Sequence, residues 1–122
     1  MEALSQPTNP ITLMLKLNGS EFSPILKSTS PVLAVFYAEW CPFCVSFLPE
    51  FEQLNSQNFQ IAEVDISDEN NPLWEEYRID VVPTLIAFDE GKETSRRNGR
   101  RGIGLSSKDI DDLRRELEKT NA

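Results

Sequence analysis

Residues 31–38, Pro-Val-Leu-Ala-Val-Phe-Tyr-Ala, form an unbroken apolar run rich in β-branched and aromatic side chains. A run apolar at every position fits a strand buried on both faces, at the centre of a sheet covered by helices. Directly after it, Cys44, Phe47, Leu48, Phe51 and Leu54 recur at intervals of three and four, which marks one face of a helix. Pro49 falls inside that helix and predicts a kink, because proline supplies no N–H and its ring crowds the Val45 carbonyl. Residues 59–66 alternate and predict a second central strand; residues 81–88 predict a third, interrupted near its start by Pro83. A hairpin turn over residues 89–92 then returns the chain as an antiparallel strand over 93–97.

The flanking segments complete the pattern. Residues 1–10 are polar, hold two prolines and read as a loose arm. Residues 11–17 suit a strand, and Asn18 and Ser20 then offer caps for a short helix with Phe22, Ile25 and Leu26 on its apolar face. A short helix over 71–77 opens with Pro72 in its first turn. Ser106 and Asp109 resemble a capping box for a last helix that buries Ile110, Leu113 and Leu117. The order β-α-β-α-β-α-β-β-α defines an α/β fold with a mixed central sheet flanked by helices, one domain over residues 11–119.

Composition narrows the function. The chain has 122 residues, room for one core. It carries a net charge of −8 and no histidine. The acidic balance argues against nucleic acid, which needs a basic face. The missing histidine excludes hydrolases built on a Ser-His or Cys-His pair and removes the commonest nitrogen ligand for metals. No apolar run reaches the length of a membrane span, and the first 17 residues do not read as a signal peptide. A cytoplasmic monomer is expected.

Cys41 and Cys44, three apart at a strand-to-helix junction, admit several readings. A structural bridge there closes a loop of very few residues, and loop entropy gives it about 2 kcal/mol, the low end for a disulfide. A zinc site lacks its other half, since there is no third cysteine and no histidine, so a metal would have to be shared across a dimer. A redox pair fits the local chemistry better. Pro42 suits a first helical turn, which puts Cys41 at the helix N-terminus, where free N–H groups and the macrodipole favour a thiolate. Cys44 lies one turn on, within the apolar stripe, so Cys41 is expected to be the exposed nucleophile and Cys44 the buried resolving thiol.

The stretch over residues 32–44 (VLAVFYAEWCPFC) resembles the thioredoxin superfamily, including the lead-in Ala38-Glu39-Trp40. Pro49 falls where thioredoxins also carry a helix proline; Val81-Val82-Pro83-Thr84 is similar to the family's cis-proline loop, and Phe88-x-x-Gly91-Lys92 to its hairpin. The resemblance implies the thioredoxin fold and dithiol–disulfide exchange on protein substrates, without a cofactor. It implies a cis Val82-Pro83 bond facing the dithiol, against the trans form usual for X-Pro, with the Val82 backbone left to pair with a substrate strand. Trp40, Pro42 and Phe43 would form an apolar rim for a docked peptide, and Gly99 the far edge, where a side chain would obstruct docking.

Two departures stand out. Where thioredoxins carry a buried aspartate six residues before the first cysteine, this chain has Val35, and the family's partner lysine is matched by Glu63. Glu63 is either a solvated edge residue or a buried acid beneath Cys44 that handles its proton with a raised pKa. The Pro42-Phe43 dipeptide is more like glutaredoxins than the usual Gly-Pro, which leaves reducing and oxidising directions open. Arg96, Arg97, Arg100 and Arg101 are either charge that guards an edge strand or a patch that assists Cys41 or receives an acidic partner.

The function this supports is reduction of protein disulfides, Cys41 attacking and Cys44 resolving. The partners are disulfide-bearing proteins and a separate reductase, since no Gly-rich dinucleotide motif is present. A glutathione-linked enzyme and a binding module of the same fold are the alternatives.

Overall fold

The computed structural model describes residues 14–28, 31–54 and 58–120. Nine elements follow one another: β1 (Leu15–Asn18), α1 (Gly19–Ser28), β2 (Val32–Tyr37), α2 (Pro42–Phe51), β3 (Gln60–Asp65), α3 (Leu73–Glu76), β4 (Thr84–Asp89), β5 (Lys92–Asn98) and α4 (Ser107–Thr120). They form a five-stranded sheet in the order β1-β3-β2-β4-β5. β3 runs parallel to both β1 and β2, whereas β4 is antiparallel to β2 and to β5. The mixed sheet and the element order are those read from the sequence. The arm over residues 1–10, and the start of the strand expected over 11–17, lie outside the described residues.

The unbroken apolar character of β2 has a direct cause. Val32, Ala34 and Phe36 join a core with Phe22, Leu26, Ala62, Val64, Ile86 and Phe88, on the side covered by α1 and α3. Leu33 and Val35 face the opposite core, with Phe47 and Phe51 of α2 and Ile110, Leu113 and Leu117 of α4. Alternate side chains of one strand thus fill two separate cores. Phe22 meets Phe36 and Phe88 edge-on, with ring centroids 5.1 and 5.4 Å apart, the arrangement aromatic quadrupoles favour.

Element boundaries depart from the pattern where caps and prolines decide them. Asn18 ends β1 and also caps α1: its Oδ1 accepts the N–H groups of Ser20 at 3.0 Å and Glu21 at 3.2 Å, while Glu21 Oε1 accepts the Asn18 N–H at 3.0 Å. This reciprocal box satisfies donors that the first turn leaves open. Asn18→Ala is expected to lower stability by about 1 kcal/mol in urea denaturation; an unchanged midpoint would show that the box contributes nothing. α2 stops at Phe51 rather than running on to Leu54, closing with tighter bonds from Gln53 N–H to the Glu50 carbonyl and Leu54 N–H to the Phe51 carbonyl. α3 is shorter than the expected 71–77, because Asn71 Oδ1 caps the Leu73 N–H and Pro72 stands before the helix. β4 begins at Thr84, not residue 81, since Pro83 has no N–H for the ladder.

Candidate active site

The end of β2 delivers the chain to Cys41, which is the N-cap of α2 with extended backbone (φ −101°, ψ 114°), and Pro42 opens the helix. The Cys44 N–H, in the first turn, is shared between the Cys41 carbonyl at 3.1 Å and Cys41 Sγ at 3.3 Å. The Cys41 thiol in turn donates to the Val82 carbonyl at 3.4 Å. Both cysteines are free thiols. Cys44 is 0% exposed and Cys41 only 6%, so the picture of Cys41 as an exposed nucleophile is corrected. The cause is local: Cys41 packs with Ala38, Cys44, Tyr37 and Val82. Burial pushes the Cys44 thiol far up, reinforced by its hydrogen bond with Cys41 and by the Cys41 charge, and a hydrogen bond with the Ala38 backbone opposes this only in part. Cys44 therefore stays protonated while it waits.

The Val82–Pro83 peptide bond is cis. The Val82 carbonyl accepts the Cys41 thiol and keeps a second lone pair for another donor. Gly99 sits against the same loop: its N–H donates to the Pro83 carbonyl at 2.9 Å, and a Cβ there would lie 2.7 Å from that oxygen. The glycine is thus required by close approach of β5's end to the Pro83 loop, beyond any role in keeping a docking edge open.

Trp40 is 55% exposed and Phe43 40%, so the two rings flanking the dithiol present apolar surface. Trp40 is held rather than loose. Its Nε1 donates to the Ser67 carbonyl at 2.9 Å, and its ring stacks on Trp74 at 6.5 Å and 6°. Sequence reasoning missed Trp74 and Ser67; a second tryptophan at the start of α3 was the available signal. It also missed Gly104, whose backbone packs against Phe43.

Glu63 does not lie at a solvated edge. It is 2% exposed, between Lys16 of β1 and Val35 of β2 in register, and its Oε2 has no hydrogen-bond partner. Burial first, then a hydrogen bond and charge from Glu52, raise its pKa to about 7, with Lys16 opposing. The groups acting on Glu63 are therefore Glu52 and Lys16, and those acting on Cys44 are Cys41 and Ala38. The structure groups Cys41, Cys44, Val82, Pro83 and Gly99, and ties Glu63 to the C-terminal end of α2. Among the described residues, no three of His, Cys, Asp or Glu gather within reach of one metal ion. No helix among them is long and apolar enough to cross a membrane.

A dithiol at a helix N-terminus, packed against a proline loop beside a mixed sheet, defines a class of thiol-exchange folds. The thioredoxin family model matches residues 13–110, and the chain belongs to that family. It is 36% identical over 98 residues to the thioredoxin of Chlamydia caviae, covering 79% of this chain and 90% of that one. It is 30% identical over 99 residues to the bifunctional thioredoxin reductase/thioredoxin of Mycobacterium leprae, but spans only 21% of that longer protein. A solved mutant thioredoxin from Halobacterium salinarum superimposes with a TM-score of 0.69 at 30% identity, covering 90% of this chain and 92% of the other.

Proposed function

We propose that this protein is a thiol–disulfide oxidoreductase that reduces disulfides in protein substrates. The observation that carries the reading is the pairing of unequal thiols: Cys41 at the α2 N-cap with an N–H on its sulfur, and Cys44 fully buried behind it with its proton held. Cys41 as thiolate attacks one substrate sulfur, the substrate S–S bond breaks, and the departing sulfur takes a proton. Cys44 then gives up its proton and attacks Cys41 Sγ, which releases the second substrate thiol and leaves a Cys41–Cys44 disulfide. Two electrons have passed to the substrate, so an external dithiol must reset the protein.

A separate reductase is the natural donor, and the Mycobacterium leprae relative, whose name joins a thioredoxin reductase to a thioredoxin, supports that partner. A reducing compartment such as the cytoplasm, where such a pair is kept as thiols, fits a disulfide reductase. Insulin reduction in the presence of dithiothreitol tests the reading. Wild type is expected to accelerate it and Cys41→Ser to fall to the uncatalysed rate; equal rates would discard the proposal in favour of a binding module.

A further inference from the structure

Between β5 and α4 the chain makes a compact turn over residues 100–104. Arg100 and Gly104 form an antiparallel bridge, with N–H to carbonyl distances of 3.0 and 2.7 Å in the two directions. Gly102 and Gly104 take φ values of +75° and +80°, which other residues adopt only with strain. The root of the turn is fixed: the Arg100 guanidinium contacts the buried Asp109 carboxylate at 3.2 Å, and that carboxylate also accepts the Ser106 N–H at 2.9 Å.

One side of this turn touches the dithiol segment. A Cβ at Gly104 would lie 3.0 Å from Phe43 Cβ and 3.2 Å from its ring, so the turn's backbone rests on the side chain that separates Cys44 from Pro42. The tip faces water. Ile103 is 65% exposed, one residue before that contact, and Arg101 is exposed two residues earlier. The other arginines of the cluster are engaged, Arg96 with Glu93 at 2.8 Å, Arg97 with Asp112 at 3.7 Å and Arg100 with Asp109. Among the described residues Arg101 pairs with no carboxylate. On a chain of net charge −8, this leaves one uncompensated cation at the edge of the site, beside two open apolar side chains.

We propose that the turn at residues 100–104 is a substrate-docking edge, selecting extended polypeptides that carry an apolar side chain and a carboxylate beside the target cysteine. The apolar side chain would cover Phe43 and Ile103, and the carboxylate would face Arg101. This rests on the oxidoreductase reading above. It adds that the enzyme chooses among disulfides by their flanking charge. A second copy of this chain is the poorer occupant, since two molecules of charge −8 repel.

The test uses two synthetic peptides, each with one cysteine in a disulfide to a small neutral thiol and identical except for Leu-Glu or Leu-Lys beside that cysteine. A third substrate is the neutral hydroxyethyl disulfide. Wild type is expected to reduce the glutamate peptide about three- to fivefold faster, in the range of one exposed charge pair. The gap should close as salt rises from about 20 to about 500 mM. Arg101→Glu should reverse the order, and Ile103→Ser should slow both peptides while keeping their ratio. Equal wild-type rates for the two peptides, or an unaltered ratio in Arg101→Glu, would overturn the docking edge while hydroxyethyl disulfide reduction keeps the enzymatic reading. Failure to reduce any of the three would overturn the enzymatic reading and this inference with it.

Discussion

Cys44→Ser is expected to convert a turning-over enzyme into a trap that holds its substrate. Cys41 keeps its place at the α2 N-cap and still attacks, but the buried group behind it is now an alcohol that does not displace sulfur. The mixed disulfide must then wait for a thiol from solution. A thiol fixed next to its target acts as if at a concentration far above any added reductant, so turnover should fall by about a hundredfold or more. The covalent adduct should accumulate to one per protein and dissolve on addition of dithiothreitol. Intact-mass measurement of the variant after mixing with a disulfide peptide checks this; an absence of adduct together with wild-type turnover would remove Cys44 from the resolving role.

The second large effect concerns stability rather than exchange. Glu63 is enclosed by β1, β2 and the end of α2, and its pKa is raised to about 7 from an ordinary 4.5, first by burial and then by Glu52. The folded form thus keeps a proton that the unfolded chain gives up between those two values. The stability this retained proton contributes is therefore fully present below about pH 4.5, declines as pH rises towards 7 and is lost above it, on the order of 3 kcal/mol from this one group. Glu63→Gln keeps the shape without the ionisation. It should be markedly more stable than wild type at pH 8 and nearly equal at pH 5, as read by urea melts at the two pH values. Parallel melts at both would show that Glu63 is not held neutral by the fold. The same variant also bears on catalysis, because a shifted pH profile of disulfide reduction would connect Glu63 to the Cys44 proton, and an unshifted one would confine it to the fold.

The sheet was legible because its strands answer to solvent in the simplest way. β2 is apolar at every position because both faces are covered, and α2 and α4 declare their buried faces by spacing alone. The dithiol was equally plain, since Pro42 and the apolar stripe place Cys41 at the helix start and Cys44 inward. Glu63 was ambiguous for a physical reason: a glutamate in the middle of a strand reads alike whether a helix covers it or water does. Only the packing of α2 over β3 decides. The roles of Pro83 and Gly99 came from resemblance, because the contact between them joins residues 16 apart through backbone atoms that carry no sequence signature. The turn at residues 100–104 showed in the sequence only through the arginines Arg100 and Arg101, and its seat on Phe43 depends on two left-handed glycines that spacing does not place.

The chain has two tryptophans, and both belong to the stacked pair of Trp40 and Trp74 at the mouth of the site. Its tryptophan emission is therefore a local signal from the α2–α3 edge, where Trp74 also packs against the core on the α1 side of the sheet. A change in emission on oxidation or peptide binding reports the site without any attached dye. The same economy sets a trap for denaturation work. Separation of the pair by opening of the segment around Ser67 would mimic global unfolding, so melts followed by tryptophan emission should be matched by far-ultraviolet circular dichroism, which sees the sheet itself.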